Sequence, residues 1–253
     1  MSAPATPATR VLAQARFEAA GLLRHGEQLV VSMVLPLLAL LGLALIPYPD
    51  VAVGAFARVD RIDVITPGVL ALAVMSTAFT GQAILLAFER RWGVLRLLGT
   101  TPLGRGGLLL AKALSVLVVV AVQLVVIAAI AALLGWRPDL LGLSVALAAV
   151  VLGALTFAAL AACVGGALKA EATLAVANLV WVLLAAGGGI VLPAHTFPEP
   201  VASVVGLLPS AALGDILRSA LVHGRLAWVP LLVLLVWGAA AAFLARRLLR
   251  WSD

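Results

Sequence analysis

The densest run of chemically capable side chains lies at residues 88–105, Phe-Glu-Arg-Arg-Trp-Gly-Val-Leu-Arg-Leu-Leu-Gly-Thr-Thr-Pro-Leu-Gly-Arg. It holds one carboxylate, four guanidinium groups and an indole, which is the chemistry of recognition rather than of bond breaking. Trp92, Leu95 and Leu98 recur at three-residue spacing, so a short helix carries them as an apolar ridge. Glu89 and Arg96, seven apart, share another face. Gly99 followed by Pro102 predicts the helix stop. On spacing alone the run reads either as an interfacial elbow with arginines and a Trp anchor, or as a docking knob for a soluble partner. Catalytic groupings are missing. His25, His195 and His223 are far apart, and no His, Cys and carboxylate set has metal-ligand spacing. There is no paired-carboxylate motif, and the single Cys163 cannot form an internal disulfide. The two lysines, Lys112 and Lys169, follow Ala111 and Leu168, so the Gly-Lys of a phosphate-binding loop cannot occur. Gly104-Arg105-Gly106-Gly107 reads as a turn.

The elements that must carry this run are set by composition. Of 253 residues, 64% are hydrophobic and 11% charged, with mean hydropathy +1.19. Soluble domains are about 45–50% apolar and about 25% charged, so lipid must solvate most of this chain. A cytosolic enzyme, a secreted disulfide scaffold and a disordered chain are excluded. A spanning helix needs about 20 apolar residues. Such windows predict spans near 28–49, 64–88, 113–136, 140–168, 172–194 and 226–245. Alternating β periodicity is absent, which argues against a barrel. The first window is longer than a signal core of roughly 7–15 residues and lies well inside the chain, so a retained N-terminus is expected. With both termini in the cytoplasm, twelve of the seventeen Lys and Arg fall inside and five outside. The positive-inside rule favours that orientation. The net charge of +6 is then mostly a topology signal, and nucleic acid is not an expected partner.

Residues 1–9 read as a disordered tail. Residues 10–26 read as an amphipathic helix with Leu12, Ala15, Ala19 and Leu22 on one face and Gln14, Glu18, Gly21 and His25 on another. It lies on the membrane surface, docks a partner, or does both. After the fifth span, Gly187-Gly188-Gly189 weakens the helix. Pro193, Pro198, Pro200 and Pro209 follow, then Asp215 and Arg218. The apolar stretch 200–214 is too short to cross and too apolar for water, so a broken hairpin dipping into the outer leaflet is expected. No apolar window contains Asp, Glu, Lys or Arg, unlike the spans of ion-coupled carriers. Polar groups within the spans are few: Ser76, Thr77, Thr80 and Gln82 in span two, Ser115 and Gln123 in span three, and Thr173 and Asn178 in span five are among them. Helix–helix hydrogen bonding is the ordinary role of such groups. A cargo path is the alternative, strongest around Met75, Phe79 and Gln82 of span two, with Asn178 of span five.

The stretch 88–105, followed by an apolar span starting near Lys112, resembles the type-2 ABC transporter permease family, whose members have a similar Glu-Arg-x-x-Gly and Leu-Leu-x-Thr-Pro-Leu elbow between spans two and three. Leu-Pro followed five residues later by Asp-Ile-Leu-Arg, at 208–218, resembles the family's second signature. Ser210-Ala211-Ala212 departs from its usual Leu-Thr-Tyr-like run. The resemblance covers residue 10 onward. It implies an all-α integral membrane protein with six transmembrane helices, an N-terminal amphipathic interfacial helix at 10–26, a cytoplasmic coupling helix between spans two and three, and an external re-entrant hairpin between spans five and six, so that 27–253 forms one six-span domain. It also implies docking of two copies of a cytoplasmic ABC ATPase subunit. Glu89, Arg90, Arg91, Trp92, Gly93, Leu95, Arg96, Leu98, Thr101 and Pro102 would serve as coupling helix, with Arg16, Phe17 and Glu18 on the connecting helix. Pro209, Asp215 and Arg218 would shape the external hairpin. A second permease, identical or paralogous, completes the expected assembly in the bacterial inner membrane. ATP and Mg would sit on the partner and no cofactor on this chain. The cargo class implied is a drug, lipid or glycan-lipid, hydrophobic or amphiphilic. Two other readings remain: a non-transporting scaffold or sensor subunit, and a secondary carrier.

Overall fold

The computed structural model describes residues 6–24, 26–46, 56 and 58–248, and among these there is no strand. Helix α1 (Pro7–Arg24) opens the described chain. It starts three residues before the expected boundary because Pro7 suits a first helical turn, and the Thr6 and Thr9 hydroxyls hydrogen-bond each other across that turn. Helix α2 (Gly26–Leu45) follows, and its apolar run is Ser32–Leu45. Residues 47–49 of the expected first span lie outside the described residues. The second span is composite: α3 (Arg61–Met75), a π-helical segment (Ser76–Gly81) and α4 (Gln82–Arg91). The short α5 (Val94–Gly99) leads into α6 (Gly104–Leu133), then α7 (Leu143–Ala167) and α8 (Ala170–Gly187). The chain returns through α9 (Glu199–Val205), α10 (Pro209–His223) and α11 (Trp228–Leu248).

Five helices are long and apolar enough to cross a bilayer among the described residues: 61–91, 106–133, 140–167, 170–187 and 228–248. The protein is an all-α integral membrane protein. Helices α9 and α10 bend by 92° at their junction, as Leu208-Pro209 demands: a residue before proline is driven out of the helical region. The helices outrun the apolar windows, so ionisable groups enter spans that were expected to lack them. Asp63 lies in the first turn of α3, and Lys112 is two turns into α6.

Span 61–91 is the hub. Its apolar window is 72% buried, against 17% for each of α8 and α11. Val64 through Met75 are buried without interruption. Helices α2 and α10 flank α3, while α7 packs on α4 and on α11. Small residues allow the close approaches. A Cβ on Gly165 of α7 would lie 2.4 Å from the Ala83 carbonyl oxygen of α4. The central bonds are between helices: Thr77 Oγ1 donates to Gln123 Oε1 at 2.7 Å, and Gln123 Nε2 to Ser32 Oγ at 2.8 Å. The Trp181 indole donates to Ser76 Oγ at 2.8 Å. The polar groups of span two are thus shared between interhelical bonds and the π-helical segment, a form of helix common at functional sites.

Candidate functional site: a membrane-edge elbow and its anchors

The elbow begins where α4 stops. Trp92 N–H bonds the Phe88 carbonyl, Gly93 takes φ 75°, and α5 restarts in a new direction. Only glycine adopts that conformation without penalty. The break splits the expected ridge. Trp92 stays with α4, its ring 5.3 Å from that of Phe88, and is exposed. Leu95 on α5 is fully buried beside Leu86, Leu108, Ala162 and Ala245, with Leu98 half-buried against the same cluster. The exposed apolar surface is Trp92, Val94 and Leu97, joined by exposed Arg91, Arg96, Thr100, Thr101 and Pro102. Leu97 gives a signal the spacing argument passed over, because a helix seating Leu95 and Leu98 inward must turn Leu97 outward. Thr100 and Thr101 each return a hydroxyl to a carbonyl three residues back, closing α5.

The elbow is tied to its surroundings by charges. Glu89 does not pair with Arg96. Its Oε2 lies 2.6 Å from Lys112 Nζ on α6. Lys112 also reaches Glu18 Oε2 on α1 at 3.4 Å, and Gln14 Nε2 donates to Glu18 Oε1 at 2.8 Å. Glu18 therefore faces inward as Ala15 and Ala19 do, although it was expected on a different face of the helix; Lys112 compensates its charge. Leu12 and Phe17 of α1 are exposed instead, as is Arg16. Arg90, buried, donates to the Gly165, Gly166 and Leu168 carbonyls where α7 turns into α8. Arg91 pairs with Glu171 of α8. Arg10 of α1 donates to the Pro102 carbonyl at 3.1 Å. Elbow, α1, α6 and the α7–α8 turn are thus one mechanical unit.

The suggested cargo-path residues do not converge. Met75 and Phe79 are buried in the main core, Gln82 is buried beside a separate cleft, and Asn178 stands exposed on α8. Among the described residues no group of His, Cys, Asp and Glu could hold a metal ion.

At the opposite end, Arg218, expected to shape the external hairpin, is fully buried in α10. It donates to the Gly189, Ile190 and Val191 carbonyls, which the break after α8 sets free, and to Asp215 Oδ1 at 2.8 Å. Ser210 caps the Gly188 carbonyl at 2.7 Å. Pro209 opens α10 at its first position. A Cβ on Gly68 would lie 2.7 Å from the Ile190 oxygen and 2.8 Å from the guanidinium. Nearby, Phe56 stacks between His195 and His223. Burial lowers the His195 pKa; Asp215 opposes that shift and Arg218 adds to it.

Comparison with known proteins gives two findings. A family described as "ABC-2 family transporter protein" matches residues 46–247. A Bacillus subtilis (strain 168) protein named "Putative transport permease YvfS" is 31% identical over 88 residues, which cover 35% of this chain and 36% of that protein. The match thus spans about a third of the relative's length.

Proposed function

Because the chain belongs to the ABC-2 family of transporter proteins, we propose that it is the permease subunit of an ATP-driven exporter in a bacterial inner membrane. The observation that carries this reading is the elbow, an exposed patch of Val94, Arg96 and Leu97 on α5, with Trp92 beside it at the end of α4, while the other face of α5 is locked by Leu95 into the cluster of Leu86 and Leu108. A soluble ATPase gripping the patch would move α4 through Arg90 and Glu89, and so the hub span. The family match and the name of the Bacillus relative support transport. The lack of a Gly-Lys phosphate loop in the sequence supports an ATPase on another chain. Uncharged apolar windows suit a hydrophobic or amphiphilic cargo, since burying an unpaired charge there costs several kcal/mol. A second permease, identical or paralogous, and two ATPase copies complete the proposed assembly, with both termini cytoplasmic.

The test is co-purification. Trp92→Ala with Leu97→Ala should leave insertion and folding intact while ATPase capture falls. Interface Trp residues are often worth about 2 kcal/mol or more, roughly thirtyfold in affinity. Undiminished capture and cargo-stimulated ATP hydrolysis in the double variant would remove the elbow from the interface.

A further inference from the structure

Span 61–91 is one apolar crossing, but its two halves belong to different parts of the molecule. Helix α3 packs mainly on α2 and α10, and α4 on α7 and α8. The buried apolar side chains also divide. Those from Val64 to Ala83 lie in the main core, whereas Leu86 joins Leu95 of the elbow, Leu108, Ala162 and Ala245 in a second cluster. The division falls just past the π-helical segment Ser76–Gly81. A π turn closes its hydrogen bonds between residues five apart, so it takes up about one residue more than an α turn. No proline between residues 76 and 91 forces that winding.

The surroundings leave α4 free to turn. It is a ten-residue rod, Gln82–Arg91, with a glycine near either end. Within 4 Å, a Cβ on Gly81 would meet only the Ser76 carbonyl oxygen, at 3.7 Å, and one on Gly93 would meet nothing. A cleft of about 330 Å³ lies beside the rod, with Gln82 and Leu86 among its walls and Ala113, Ala158, Ala159 and Ala162 lining the rest of it. Polar bonding changes at the same place. Thr66 and Ser76 each donate a hydroxyl to the carbonyl four residues back, at 2.7 and 2.8 Å. Thr80 Oγ1 is buried and has no hydrogen-bond partner among the described residues. Such orphans are rare in native structures, and an α turn would offer this one the Ser76 carbonyl. We propose that Ser76–Gly81 is a torsion joint, trading part of its π winding for α winding so that α4 turns about its own axis relative to α3. A turn of about 25°, a quarter of the roughly 100° between successive residues, moves the helix surface by about 2 Å. Glu89 and Arg90 have side chains long enough to follow it without leaving Lys112 and the α7–α8 carbonyls. The elbow, farther from the axis, sweeps farther. The inference rests on the ATPase reading only for the source of the torque; the joint itself is a property of this chain.

Double electron–electron resonance on the purified full chain, with no ATPase present, tests it. Spin labels go on Arg96→Cys in the elbow and Leu244→Cys on α11, both exposed positions, with Cys163→Ser. A second pair, Leu143→Cys and Ala167→Cys, marks the two ends of α7 and serves as a ruler along one continuous helix. The elbow pair should give a distance distribution about twice as wide as the ruler's, given the swing of α4. Deleting Ala78 removes the extra residue, so α bonds can run through the span with α3 and α4 on their present faces, and the width should fall to that of the ruler. Gly81→Ala keeps the length and stiffens the joint; it should narrow the distribution part-way even where the deletion fails to fold. Ala159→Phe, which fills the cleft, should narrow it as well. An elbow pair no wider than the ruler in the parent, or a width that none of the three changes reduces, would overturn the proposal.

Discussion

Arg218 shows how one side chain can carry the cost of a broken helix. The glycines at 187–189 end α8 early and leave carbonyls without helical donors, and a guanidinium with five donors meets three of them. Removing it by Arg218→Ala leaves those oxygens and the Asp215 carboxylate uncompensated. The loss should be on the order of 3–5 kcal/mol, as for other broken buried pairs. Thermal unfolding of the purified chain checks this, and a parental midpoint would mean that water serves the carbonyls instead. Lys112 is the counterpart at the other end. Lys112→Met keeps the apolar stem but leaves Glu18 and Glu89 facing each other. The expected outcome is looser docking of α1, read as faster proteolysis within residues 7–24, with the hub span still intact.

At the scale of elements, the two faces of α5 separate folding from binding. Leu95→Ala opens a cavity in the cluster of Leu86, Leu108, Ala162 and Ala245, and such truncations cost about 2–5 kcal/mol. Leu97→Ala, on the exposed face, should stay within about 0.5 kcal/mol while weakening ATPase capture. A double measurement of melting and capture distinguishes them; equal effects of both on melting would mean that the elbow does not present a free face. The sequence made the elbow's existence and boundaries legible, because charge, glycine and proline punctuate it. Which face points outward was not legible. The expected ridge assumed one continuous helix from Trp92 to Leu98, and the left-handed turn at Gly93 rotates the frame in between. The positions of the five long apolar helices were legible for a similar reason: apolar length is a local property. The pairing of Glu89 with Lys112 was not, since it joins residues 23 apart across two helices. Nor was the burial of Arg218, which follows only once α10 folds back against the end of α8.

For the whole molecule, burial sharpens the charge asymmetry that orients it. Arg218, Arg90 and Lys112 are buried and bonded within the protein, so they report little about the side on which a loop lies. Setting these three aside turns twelve against five into ten against four, a slightly stronger bias of the same sign. The positive-inside rule favours the proposed orientation, in which the end bearing α1, the elbow and the C-terminal turn of α11 faces the cytoplasm, where ATP is available. In the same orientation the α9–α10 hairpin takes the other side; past its 92° bend Pro209–Gly214 are buried in the bundle, while Val201, Ser203, Val204 and Leu207 of the first arm stay exposed. Ser203 on α9 and Arg96 on α5 are both exposed and lie on opposite ends, so they make a matched pair of reporters. With Cys163 replaced by serine to clear the background, an impermeant maleimide added to intact cells should label Ser203→Cys readily. It should label Arg96→Cys only after the membrane is permeabilised. The reverse pattern would put the elbow outside, away from nucleotide, and no cytoplasmic ATPase could then drive the hub span through it.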